Sequence, residues 1–229
     1  MEHFESWKDL LNPEFYIKLG GFWLILFIIF AETGLFIGFF LPGDSLLFIS
    51  GIFANDLIAS TFGATGSDFL DTTLLATCIA IAAILGNEAG YYFGLKTGPS
   101  LYKRNDSFLF KKKYLYQAND FFEKHGSTAV ILSRFFPIVR TFTPIIAGIV
   151  KMDKKKFLRD NVIGAILWSY GLVYAGHYLQ KVFMDQFQID LKDKLGWIIL
   201  ILVSVTQIPV MYKLIFGKAE APKNTKDQF

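Results

Sequence analysis

The chain has 229 residues, 53% hydrophobic and 17% aromatic, with 25 phenylalanines and a formal charge of only +3. The apolar share exceeds that of an average soluble domain, and the charge is too small to point to nucleic acid. One cysteine, Cys78, and three scattered histidines, His3, His125 and His177, leave no disulfide framework and no metal-ligand motif.

The chain opens MEHFESWKDLLNP, with acidic residues and no basic stretch before an apolar one, so it does not read as a cleaved signal peptide. Phe4, Trp7, Leu10 and Leu11 share one helical face, which predicts a short interfacial helix over residues 1–13; a solvated arm fits the same residues. No lysine or arginine then occurs between Lys18 and Lys96. That interval holds two apolar runs, Leu19–Ala54 and Leu74–Leu95, and two more follow at Asn161–Leu179 and Leu195–Tyr212. Each is long enough for a hydrocarbon core about 30 Å thick. The chain therefore reads as an integral membrane protein.

Leu19–Ala54 is too long for one helix and is interrupted by Pro42-Gly43-Asp44. The reading is a helix over about Phe15–Ala31, then a hairpin over 32–54 entering from outside. A single long hairpin from Gly20 to Phe53, with the N-terminus outside, fits the same residues. Asn55–Thr73 carries Asp56, Asp68 and Asp71 without a basic residue and reads as an outer loop. The segment Lys96–Lys113 and the loop Lys151–Arg159 are rich in lysine and arginine, which places both inside.

Residues 112–124 form a basic, aromatic, amphipathic helix suited to the anionic inner leaflet. Between two inner segments, residues 126–150 must enter the bilayer and return, with a tip near Pro137 or Arg140 where proline breaks the helix. Lys181–Lys194 is mixed and falls outside by elimination. Residues 217–229 form a cytoplasmic tail, and Trp168, Tyr170, Tyr174 and Tyr178 read as packing or interfacial residues. The expected fold is a single all-α membrane domain spanning 1–229. It has about four transmembrane helices, two opposed re-entrant hairpins as in inverted-repeat transporters, short interfacial helices and both termini cytoplasmic.

Few ionisable residues fall inside the apolar runs: Glu32, Asp44, Glu88, Arg134 and Arg140. A charge at the bilayer centre costs about 2.5–3.5 kcal/mol, so the four in the hairpins would cost on the order of 10 kcal/mol unpaired. Two acids and two arginines cancel if the hairpin tips meet. Arginine's planar fork suits phosphate, and a desolvated carboxylate beside another can bind and release a proton. The quartet thus resembles a proton-linked site for a phosphorylated headgroup. Asn87 and Glu88, within GNEAG, are candidates to line the same cavity, as are Gly43 and Pro137.

These residues resemble the DedA family, also described as the VTT or SNARE-associated Golgi protein domain. The resemblance rests on ETGLFIGFFLPGDSLL (32–47), GNEAGYYFGLKTG (86–98), FFEKHGSTAVILSRFFPIVRTFTPIIAG (121–148) and MDKKKFLRDNVIGAILW (152–168). It implies a polytopic protein of the bacterial cytoplasmic membrane with two opposed re-entrant hairpins. It implies functional acids at Glu32 and Asp44 and functional arginines at Arg134 and Arg140. The family often has an acid where Asn87 stands.

Some members recycle undecaprenyl phosphate across the membrane, and eukaryotic relatives scramble phospholipids. The expected function is therefore a flippase for a phosphorylated lipid carrier, undecaprenyl phosphate first, coupled to protons and needing no cofactor or metal. Its partners are membrane lipids and protons, with a homo-oligomer left open. A phospholipid scramblase or a proton-coupled exporter of small molecules is the alternative. A membrane lipid phosphatase is less favoured, because no histidine or nucleophile–base pair accompanies the arginines; the expected protein is not an enzyme.

Overall fold

The structure, a computed structural model, describes residues 13–34, 43–103, 122, 124, 126, 128–135, 137–198 and 201. The expected interfacial helix before Pro13, nearly all of the amphipathic helix over 112–124 and the tail over 217–229 lie outside the described residues. The elements are α1 (Pro13–Gly34), α2 (Gly43–Ile52), α3 (Ala54–Phe62), α4 (Asp68–Lys103), α5 (Pro137–Ile149) and α6 (Lys154–Phe187), followed by a 3₁₀ turn at Leu191–Lys194. Residues 128–133 are also helical, and no strand occurs among the described residues.

Among the described residues two helices are long and apolar enough to cross a bilayer, α4 over Asp68–Pro99 and α6; the pair α2–α3, bent by 78°, would make a third if it is one span. α1 is interrupted at Gly21, where φ is 53°. Its apolar part, Gly21–Gly34, is too short to cross alone. An unbroken crossing helix over Phe15–Ala31 is therefore not formed. Leu46 and Leu47 of α2 share one buried core with Ile25 and Ile29 of α1.

The acidic loop expected over Asn55–Thr73 is mostly helix, α3 and the start of α4, joined through residues 63–67. Its acids reach the mixed segment 181–194: Lys181 Nζ lies 3.1 Å from Asp68 Oδ2 and Lys192 Nζ 2.7 Å from Asp56 Oδ2. These pairs are exposed and add little stability, but they put both segments at one end of the molecule.

The second hairpin turns at Arg134-Phe135, six residues before Arg140, and α5 begins at Pro137. A proline at a first helical position loses nothing, because that backbone donor would have no helical partner. Phe122 and Val130, before the turn, pack in one cluster with Ala147 and Phe157, after it, and with Tyr91 of α4. The segment therefore folds back on itself.

Glycines set how closely these pieces approach. A Cβ at Gly94 of α4 would collide with the Ile145 carbonyl of α5, and one at Gly148 of α5 with the Tyr91 carbonyl of α4. α2 and α6 meet in the same way, Gly51 against the Val173 carbonyl and Gly176 against that of Phe48. Such backbone contacts bring helices together where lipid supplies no hydrophobic drive. Hydroxyls fasten α4 to α6, Thr73 to Tyr174 at 2.6 Å and Thr77 to Tyr170 at 2.8 Å. On the outside Trp23, Phe27, Ile81, Leu85, Phe93 and Leu167 are each more than half exposed, an apolar surface suited to lipid.

Gly94→Leu should push α5 off α4 and destabilise the folded protein by about 1–3 kcal/mol, read as a lower melting temperature in detergent. Gly171→Leu, at an exposed site with nothing near its Cβ position, should leave the melting temperature near that of the parent. Equal effects from the two substitutions would mean the α4–α5 contact is not tight.

Candidate functional site

The end of α1 and the starts of α2 and α5 meet. Glu32 lies near the end of α1 and Asp44 in the first turn of α2, while Arg140 lies in the first turn of α5. The Arg140 guanidinium contacts both acids, Nη2 donating to Glu32 Oε1 and Nη1 to Asp44 Oδ1, the latter at 2.5 Å. Arg140 and Glu32 are buried, whereas Asp44 keeps 22% of its side-chain surface exposed. Gly43 is required here because its Cβ position is occupied by the Glu32 carboxylate. That carboxylate sits at the start of α2, where the helix dipole favours negative charge.

Trp168 of α6 closes the cluster. Its indole Nε1 donates to Asp44 Oδ1 at 2.8 Å, and its ring faces Arg140 with the guanidinium carbon 4.6 Å from the centroid. Arg134 lies against the same ring at 5.9 Å. A guanidinium over an indole face gains cation–π attraction, most where water is excluded.

The expected pairing of both arginines with both acids is only half realised. Arg140 holds the two carboxylates by itself. Arg134, 1% exposed, makes no ion pair among the described residues and turns to amides instead. Its Nη2 donates to Asn161 Oδ1 of α6 at 2.6 Å. Asn87 of α4 lies against the same groups: in one amide orientation its Nδ2 donates to Asn161 Oδ1 at 2.9 Å, and in the other its oxygen accepts from Arg134 Nη2 at 2.8 Å while Nδ2 donates to the Thr33 carbonyl at 3.0 Å. Among the described residues Arg134 Nε and Nη1 have no partner, and neither has Arg140 Nε.

The order of residues in α6 explains this geometry. Asn161, Gly164 and Trp168 follow one another at i, i+3 and i+7, so they share a helix face. Gly164 leaves room for the Arg134 stem, since its Cβ would press on Arg134 Cδ. On α4, Gly86 lies against Thr33 and the Phe30 carbonyl, which draws Asn87 to the end of α1.

Of the remaining candidates, Gly43 belongs to the site. Glu88 is half-buried, with its Oε1 unpartnered, and no hydrogen bond or ion pair joins it to the cluster. Pro137 starts α5, and its side chain lies outside what the structure describes. Asn161 and Trp168 are site residues that the sequence reading missed. The available signal was their spacing of seven, two helical turns, around Gly164. Among the described residues no group of three or more His, Cys, Asp or Glu side chains could hold a metal ion.

Comparison with known proteins gives a consistent picture. The family model for the VTT domain matches residues 41–178. Protein DedA of Escherichia coli K12 is 37% identical over 209 residues, covering 90% of this chain and 89% of that protein. The inner membrane protein YqjA of the same strain is 35% identical over 178 residues, 77% of this chain and 74% of YqjA. An uncharacterized membrane protein of Mycobacterium tuberculosis H37Rv is 34% identical over 228 residues, 96% of this chain and 93% of that one. No solved structure matches the chain.

A double-mutant cycle measures how strongly the hairpin tips hold each other. Glu32→Ala and Arg140→Ala should each lower the stability in detergent. The double variant should lose less than the sum, with a coupling on the order of 2 kcal/mol. Strict additivity would mean that the contact carries no net energy.

Proposed function

Because the chain belongs to the VTT-domain family of DedA-type membrane proteins, we propose that it moves a phosphorylated lipid carrier across the bacterial cytoplasmic membrane, with undecaprenyl phosphate the first candidate, using protons. The observation that carries this reading is the division of labour between the arginines. Arg140 is neutralised by two carboxylates, while Arg134 is a buried cation with two unpartnered donors. A buried cation without a counter-charge is costly, and a phosphate would supply the missing acceptors through charge-assisted hydrogen bonds. Protonation of Glu32 and Asp44 would free Arg140 to join it.

The membrane layout that suits this function has two opposed re-entrant hairpins meeting at the cluster. About four helices span the bilayer, α4 and α6 among them, and both termini are cytoplasmic. The folding back of residues 122–157 on themselves and the short α1–α2 hairpin support it, as do the acidic and basic segments at opposite ends of α4. Asn87 lies near the middle of α4, so the cluster would sit near the bilayer midplane, where transporters of this architecture place their substrates. The reading is of transport without covalent chemistry; lipid and protons are the partners.

The test is translocation of a fluorescent polyprenyl phosphate in proteoliposomes, with and without an imposed pH gradient. The parent should move the lipid faster with the gradient. Arg134→Ala and Arg140→Ala should each slow movement by about tenfold or more. Glu32→Gln should still move lipid down its gradient but lose the response to pH. Transport at the parental rate by either arginine variant would remove the phosphate from the arginines.

A further inference from the structure

Where α3, the start of α4 and the end of α6 converge, a second polar cavity opens that shares no residue with the arginine cluster. Its volume is about 250 Å³. Sites for drug-sized ligands run from about 300 to 1,000 Å³, so the room here suits a small group. Asn55 and Asp56 line it from α3, Asp68 from α4, and His177, Lys181 and Asp185 from α6. The last three recur at every fourth residue and so share a helix face. Lys192, in the 3₁₀ turn, completes the charged wall.

Three carboxylates and two lysines line the cavity, which leaves one negative charge in excess when the imidazole is neutral. Both lysines are already engaged, Lys181 with Asp68 and Lys192 with Asp56. The surplus charge is therefore that of Asp185, one turn beyond Lys181. The neutral groups add acceptors. Asn55 Nδ2 donates to Asp68 Oδ1 at 2.7 Å, which the amide oxygen could not do, and its Oδ1 is buried with no donor among the described residues. His177 is 8% exposed, and its Nε2 has no partner among the described residues. The ring lies by the Gly51 carbonyl; an imidazole whose N–H serves that carbonyl presents its other nitrogen as an acceptor. Buried acceptors left without a donor are costly, and a donating ligand would satisfy them.

We propose that this cavity is a second binding site, for a primary ammonium group. Such a group brings one positive charge to offset Asp185. It also brings three N–H donors, enough for Asn55 Oδ1, His177 Nε2 and a carboxylate oxygen. A quaternary ammonium has the charge without the donors, and an anion would meet the surplus negative charge. A free amine and a lipid headgroup can both carry the group, and Asp56, Asp68 and Lys181 at the mouth are at least half exposed. The site is independent of the lipid-phosphate reading above.

The experiment is ligand-observed NMR with the full chain in maltoside micelles near neutral pH, against empty micelles. The probes form two pairs: ethylammonium with tetramethylammonium, and dioctanoyl phosphatidylethanolamine with dioctanoyl phosphatidylcholine. The parent should bind the primary ammonium of at least one pair, and its quaternary counterpart about tenfold more weakly. Binding of ethylammonium would make a free amine sufficient; binding of the phosphatidylethanolamine alone would make the source a headgroup. Asp185→Asn, at an exposed position where folding should be unaffected, and Asn55→Leu should each weaken that binding by about tenfold. Equal binding of primary and quaternary probes would overturn the proposal. So would binding left unchanged by both substitutions, or no binding of any probe.

Discussion

One guanidinium, that of Arg140, ties α5 to α1 and α2. It reaches Glu32 at the end of α1 and Asp44 at the start of α2, from the first turn of α5. In a low-dielectric setting none of the three charges could remain ionised alone at acceptable cost. The folding of each hairpin tip therefore depends on the arrival of the other. The same dependence makes the contact a natural switch. Neutralising the acids removes the attraction and leaves an arginine that must find another anion.

The remaining structure serves to deliver these groups to one place. α4 is the spine, approached on one side by α1 through Gly34 and Gly86 and on another by α5 through Gly94 and Gly148. α6 closes the opposite side against α2 through Gly51 and Gly176, and brings Asn161, Gly164 and Trp168 to the cluster on one face. Larger residues at these crossings would hold the helices apart and pull the carboxylates from Arg140. Backbone packing and site chemistry are thus parts of one design.

Much of this was legible in the sequence, for a physical reason. Charge inside an apolar run is costly, so Glu32, Asp44, Arg134 and Arg140 stood out without any structure. The fold-back of the second hairpin followed from basic residues at both of its ends. The amides did not stand out, because asparagine in a membrane helix costs less and reads equally well as packing. The partners of Arg134 were therefore misassigned to the acids. Trp168 was read as a packing or interfacial aromatic, since nothing in its local sequence shows a buried carboxylate on another helix. The break in α1 at Gly21 was not foreseen because Leu19–Ala54 is uniformly apolar, and periodicity cannot mark a helix break inside such a run. Helix α3 was hidden by the polar residues that mark a loop elsewhere.

The account ties lipid phosphate to protonation of the carboxylates on Arg140, and infrared difference spectroscopy reads that protonation directly. Spectra of the reconstituted protein with and without a polyprenyl phosphate should show a new carbonyl band of protonated carboxyl groups as the lipid binds. The band should be reduced in Glu32→Gln and in Asp44→Asn and absent when both substitutions are combined. Lipid bound at full occupancy with no protonated carboxyl band, or with a band unchanged by those substitutions, would contradict the account.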